Sequence, residues 1–565
     1  MSTFEALLII ATALAIIIQF FYKLPKALPR WLDFVPAALL VYTLILILFA
    51  GFHGYMIVVY IMVLVIFLQT VKRMIRPGTV HQPSRWQLFA AVLGLVLGFA
   101  VMVAGIIFGP MIASGAGENL SRKSWTEAFE RTNDILAQRY AFSQWKQIDW
   151  QASQAEFTPQ IAAAEETDDL DASHLALQEY FFSSPDGHIK FGGGDMGLWR
   201  EMVGGGYGFG LIELDNGSTI VHQLTEAGPA EIAGISWGAA VLTLDGVPVQ
   251  EAISQVAPIW WEVPPATQEG RRYVQQTLLT RAAVGEQVEI TFQNHGEAES
   301  RTVSLTAVDD GLQPLFEALG WWDEMKLRQA MGEKLDESAI KNPPTYQVLP
   351  QGYGYLRISH VIPDKDDPDF AKITDQAVTE FIAQDVKGVI IDVRGNPGGM
   401  DTLVPQIMGH FFTKPDFYEY MFFENWLTGI DLFDLAIPLS VDPREPFYDG
   451  PIAVLIDQHT RSSGEGFPLL AQRLSQGRTV GIYGTNGSFG MCCSRIDLPE
   501  GLTLQYPGGQ SLDADHNIQL DSNHALQGGV LPDVRVPLDW DTVYAMFVNG
   551  EDITLQYAIE ALQTP

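Results

Sequence analysis

The chain has 565 residues and carries 34 Lys/Arg against 67 Asp/Glu, a formal net charge of −33 at pH 7. That length predicts several domains, and the acidity argues against a nucleic-acid partner, whose binders need a basic face. Only two cysteines occur, the neighbours Cys492 and Cys493; bridging neighbours demands strained geometry, so no disulfide framework is expected. Without a Cys/His cluster at ligand spacing, no metal and no cofactor are expected either.

Residues 1–114 hold seven Lys/Arg and two Asp/Glu, and the rest of the chain holds 27 and 65. Four apolar stretches, 6–22, 34–52, 55–71 and 88–108, are each near the roughly 17–25 residues that cross a bilayer core as helix. Lys23, Lys26 and Arg30 follow the first stretch, and Lys72, Arg73, Arg76 and Arg85 follow the third. The positive-inside rule puts both basic loops in the cytoplasm. The expectation is a four-helix transmembrane region, a multi-pass inner-membrane location with the membrane as partner, and a remainder that faces the periplasm or exterior.

Residues 115–202 read as a helical segment. The spacing over 125–140 and 172–182 is amphipathic, and Asp171 or Ser173 caps the second helix. The segment closes on Ser184-Pro-Asp-Gly-His188. Residues 203–307 resemble a PDZ domain. Tyr207-Gly208-Phe209-Gly210 is similar to the PDZ loop whose backbone N–H groups capture a peptide carboxylate, and Pro229–Gly234 and Val241–Gly246 suit the helix and strand that follow. In 308–565 strands at 352–359, 388–393, 451–456 and 480–484 alternate with helices such as 370–382, an α/β layer pattern. An aromatic-rich insertion, 416–448, interrupts it.

Two segments of that last region carry chemistry. The run Gly388–Gly399 is an apolar strand emptying into a glycine-rich turn, which leaves backbone N–H groups free to stabilise an oxyanion. The run Pro451–Asp457 repeats the plan and leads to Thr460-Arg-Ser-Ser-Gly-Glu465, where Ser462 and Ser463 open a helix reaching about 474. A hydroxyl at one strand end beside amide donors at the next is what acyl transfer requires.

These segments resemble the S41 family of C-terminal processing and tricorn-like serine peptidases, over a stretch from about residue 120 onward. The resemblance implies a ClpP/crotonase-like α/β protease domain. It implies Ser462 as nucleophile, Gly398, Gly399 and Ser463 as oxyanion-hole donors, and Glu465 as a support of the site. Asp186-Gly-His188 is similar to the family's Asp-Gly-His segment.

The family uses either a lysine or a histidine base. The lysine type would place its base near Gly487 or Ser488, and no lysine follows Lys414. Serine needs a base at neutral pH, and His188 is favoured over His459, His516 and His524. The resemblance places the orienting acid before Gly529-Val-Leu-Pro-Asp533, and Asp521 is the choice there. Asp392 and Arg394 are expected to hold the oxyanion turn by ion pairing. The reading is a serine endopeptidase acting on protein or peptide substrates, with a PDZ domain that selects a chain terminus or gates access. The alternative is a catalytically inactive peptide-binding scaffold. A transporter fits less well, since the apolar stretches hold almost no ionisable residues.

Overall fold

The computed structural model describes residues 117–193, 197–334, 342–363 and 370–563, with 104–112 and a few short pieces before it. Contacts divide the chain into two units, Met1–Pro110 with Asn425–Phe433, and the remainder. In the first unit the described pieces before residue 113 are helical, 426–429 is a turn, and Asn425 Nδ2 donates to the Ile106 carbonyl at 2.7 Å.

The membrane expectation is corrected here. Among the described residues no helix is long and apolar enough to cross a membrane. The longest described helical run before residue 115 is 104–112, well short of the roughly 20 residues a span needs. The four apolar stretches themselves lie almost wholly outside the described residues. Neither the four-helix transmembrane region nor the multi-pass location is supported. The architecture is a mixed α/β fold.

The second unit is organised around a six-stranded sheet, in the order Thr345–Val348, Gly354–Arg357, Val389–Asp392, Ile452–Leu455, Gly477–Gly481, Val534–Arg535. The first pair is antiparallel and the others are parallel. Val389–Asp392 and Ile452–Leu455 are buried at every position. Alternate side chains enter two cores: Val389, Ile391, Ile452 and Val454 pack with the helices Phe370–Ala383, Leu403–Met408 and Gly466–Ala471, and Ile390, Ala453 and Leu455 pack with Ile553–Ala561. Burial on both faces is why these strands read as unbroken apolar runs.

The 416–448 insertion is a hairpin, Asp416–Phe423 with Leu435–Val441, that adds Gln510–Leu512 to its edge. Residues 209–306 build an antiparallel sheet with a core of its own, and Phe209–Glu213 is an edge strand. The helices Trp125–Arg139, Trp150–Glu166 and Leu170–Phe182 share a core with Ile496, Leu502 and Leu504 from strands near the C-terminal end. Lys190–Gly193 joins that same sheet through Leu502–Tyr506. The cap of the third helix is Asp169, whose side chain accepts from Ala172 N–H, and not Asp171 or Ser173. Through this sheet the helical segment is tied to the C-terminal region, and the turn carrying His188 is fixed there.

Candidate active site

The carboxyl ends of Val389–Asp392 and Ile452–Leu455 are neighbours in register, where ligands bind in open α/β sheets. Two turns leave them and interlock. Asp457 Oδ1 accepts from the N–H groups of Gly395, His459 and Thr460 at 2.8, 3.1 and 2.9 Å. The Asn396 carbonyl accepts from Arg461 N–H at 2.9 Å. Asn396 is fully buried, its Nδ2 donating to the Ile358 carbonyl at 2.9 Å.

Ser462 opens a short 3-10 turn with φ +54. A non-glycine residue in this region carries strain that surrounding contacts must hold. The holding contact is Ser462 N–H to the Ser488 carbonyl at 2.8 Å. Gly398, φ +93, lies so close that a Cβ there would meet Ser462 Cβ at 2.5 Å and Ser463 N at 2.9 Å. Gly398 N–H donates to Asn396 Oδ1 at 2.8 Å, so it is already spent. Gly399 N–H and Ser463 N–H enter no hydrogen bond among the described residues. Ser463 Oγ points the other way, to the Gly399 carbonyl at 3.0 Å and Asp401 Oδ1 at 2.6 Å. Burial pushes the Asp401 carboxyl up to about 6.

Glu465 is completely buried and accepts from Gly487 N–H at 2.7 Å and Ser488 N–H at 3.0 Å. Burial pushes its carboxyl up to about 8, against those bonds. Ser488 is thus a bracket. Its N–H meets Glu465, its carbonyl meets Ser462, and its Oγ accepts from Gly187 N–H at 2.8 Å. That last bond brings the Asp186-Gly-His188 turn onto the segment that holds Ser462. Burial opposes ionisation of Asp392, but Arg394 and Arg357 outweigh it and hold its carboxyl at about 2.

His188 is buried, and neither ring nitrogen hydrogen-bonds to a described residue. Burial pulls its imidazole down to about 4, against the pull of Asp186. Asp186 Oδ1 lies 3.7 Å from His188 Nδ1 and accepts from His188 N–H at 2.8 Å. One side-chain nitrogen or oxygen from each of Asp186, His188 and Asp521 lies within 4.8 Å of the other two, a grouping that chain spacing could not reveal. Asp521 pairs with the buried Lys146 at 2.7 Å and accepts from Phe489 N–H at 2.9 Å. Burial raises its carboxyl, and the Lys146 ammonium beside it opposes the rise and favours the charged form.

The rival histidines point elsewhere. His459 packs edge-on to Tyr273, with ring centroids 5.7 Å apart, and His516 stacks on Tyr420 at 4.6 Å. His524 is exposed. Sequence reasoning missed Asp186 as a group facing the imidazole, although it stands in the quoted motif, and it missed Tyr140 and Lys146, which no motif marks. It also missed that Arg461 is buried against Asp323 in a two-toothed ion pair, 2.6 and 3.2 Å. Tyr207-Gly208-Phe209-Gly210 forms the turn into the edge strand Phe209–Glu213; Gly208 has φ +82, and Glu213 N–H is taken by Gln276 at 2.9 Å. Cys492 and Cys493, expected to be unbridged, are joined to each other.

Residues 352–536, which contain both interlocking turns, match the model of Peptidase family S41. This stretch is similar to the S41 peptidase domain. The carboxy-terminal processing protease CtpB of Bacillus subtilis (strain 168) is 23% identical over 290 residues, covering 51% of this chain and 47% of that protein. The match thus spans about half of that relative's length. Among solved structures, mature CPAF is similar, with a TM-score of 0.53 at 14% identity over 78% of this chain and 97% of that one. Mature CPAF complexed with lactacystin has a TM-score of 0.52 at the same identity and covers 78% and 99%. At that identity the likeness concerns the fold alone.

Proposed function

We propose that the chain is an endopeptidase in which Ser462 attacks a peptide carbonyl and His188 takes the hydroxyl proton, later giving it to the leaving amine. The observation that supports this best is the interlock of Gly398 with the strained Ser462, bracketed through Ser488 to the Asp186-Gly-His188 turn. Gly399 N–H and Ser463 N–H are the donors left for the tetrahedral oxyanion. A buried imidazole pulled to about 4 is neutral at neutral pH, the form a base needs. Asp521 and Asp186 are the acids near it, and Glu465 holds the bracket.

Residues 203–307 serve, on this reading, as a PDZ module that takes a chain terminus, in keeping with the CtpB relative's name. The edge position of Phe209–Glu213, whose Glu213 N–H alone is taken by a side chain among the described residues, suits peptide pairing. Labelling by a serine-directed fluorophosphonate tests the chemistry. Ser462→Ala is expected to abolish it and lower turnover by on the order of 10⁶. Ser463→Ala is expected to cost far less, because its N–H remains. Labelling that survives Ser462→Ala and disappears in Ser463→Ala overturns the assignment.

A further inference from the structure

Lys146 stands in the stretch between the first two helices of the helical segment. Its buried ammonium meets Asp521 Oδ1 at 2.7 Å, Ser522 O at 2.8 Å, Pro185 O at 3.0 Å and Ser522 Oγ at 3.1 Å. An ammonium has three N–H donors, and four acceptors surround this one. It is therefore engaged as a cation rather than free to take a proton from a serine. The acceptors come from the two turns that flank the imidazole, one ending in His188 and the other holding Asp521. The same stretch grips both acids elsewhere. Tyr140 O–H donates to Asp186 Oδ2 at 2.6 Å, and Trp145 Nε1 donates to the Asp521 carbonyl at 3.0 Å.

Charge then decides what the pairing does. Two carboxylates within 4.8 Å of the imidazole would together favour a proton on the ring at rest, since each opposite charge at this range favours the charged form. A ring protonated at rest is no base. We propose that Lys146 is a positioning residue for the base: it pairs with Asp521 and fastens the two flanking turns together, so that the imidazole faces one uncompensated carboxylate, Asp186, instead of two. One negative charge stabilises the imidazolium that forms as serine attacks, without trapping the proton beforehand. The inference rests on His188 being the base. The charged and titratable groups around His188 are Asp186, Asp521, Lys146 and Arg461, and Tyr140 and Glu465 face the two acids.

The test follows the rate of fluorophosphonate labelling of the full-length chain from about pH 4 to 10, beside thermal melts. Lys146→Met exposes the ring to a second carboxylate and is expected to move the acid limb up by about one pH unit or more. Asp521→Asn leaves the ammonium uncompensated. It is expected to move the limb down by a similar amount and to slow labelling on the plateau. The double variant removes both charges and is expected to return the limb to within about half a unit of the parent. It leaves no unpaired charge behind, so it carries the test even where Lys146→Met alone does not fold. A limb that stays put in the single variants while melting temperature falls reduces Lys146 to a structural prop and overturns the inference. A double variant that keeps the full Asp521→Asn shift does the same. His188→Ala separates the two layers. If it labels at the full rate, the base reading fails whatever Lys146 does; if it is dead, the limb shifts judge Lys146 alone.

Discussion

Replacing Gly398 by alanine adds one carbon at the tightest point between the two turns. That carbon would lie 2.5 Å from Ser462 Cβ, 2.9 Å from Ser463 N and 3.0 Å from the Arg461 carbonyl. Carbon atoms rest about 3.5–4.0 Å apart, so the turns must part by about 1 Å. Neither can yield locally. Asn396 is anchored to Ile358 and Arg461, and Ser462 is pinned to Ser488. A displacement of about 1 Å at reacting groups costs on the order of 10²-fold in rate, and here it shifts the nucleophile relative to the Gly399 donor. Backbone strain adds a separate cost, because φ is +93 and such a conformation costs about 1–2 kcal/mol for a residue with a Cβ. Gly217→Ala isolates that second cost: its φ is +80 and nothing lies within 4 Å of the added carbon. Labelling rates and thermal melts of the two variants therefore diverge. Gly217→Ala is expected to lose about 1 kcal/mol of stability and no labelling rate, and Gly398→Ala to lose about two orders of magnitude in labelling. A folded Gly398→Ala that labels within about threefold of the parent would refute the interlock as the source of site geometry.

Glu465→Gln tests the buried bracket. Its folded-state pKa, about 8, lies above the ordinary glutamate range. The parent therefore loses stability as pH rises from about 4.5 to 8, where the unfolded chain ionises and the folded chain resists. The variant has no such loss, so the difference in unfolding free energy should grow in its favour across that window by a few kcal/mol; chemical denaturation at both ends measures it, and a pH-independent difference contradicts the burial argument. Asp323→Asn removes one half of a buried ion pair and leaves Arg461 without its hydrogen-bonded carboxylate, a change that typically costs about 3–5 kcal/mol. Because Arg461 precedes Ser462, labelling should fall along with the melting temperature, and a loss of stability with full labelling would show that the pair does not hold the nucleophile turn.

Much of the site was legible because acyl transfer needs local backbone geometry. A strand that ends in glycines, and a serine at the head of a helical turn, are written in consecutive residues. The strands 388–393 and 451–456 were legible for the related reason that burial on both faces leaves no polar alternation. His188 stood out only through its motif, and its environment did not show at all. Asp521 lies hundreds of residues from Asp186 and Lys146, and the sheet joining Lys190–Gly193 to Leu502–Tyr506 helps to bring them together. A lysine absent after residue 414 excluded one catalytic arrangement but was silent about a lysine arriving from the helical segment. The apolar pattern of residues 1–114 suggested spans, yet apolar length alone does not make a crossing helix, and no described helix is long enough to be one. Local order along the chain determined the turns and the place of the candidate nucleophile; long-range packing alone decided which charges surround the imidazole, because a buried charge takes its energy from whatever the fold places beside it.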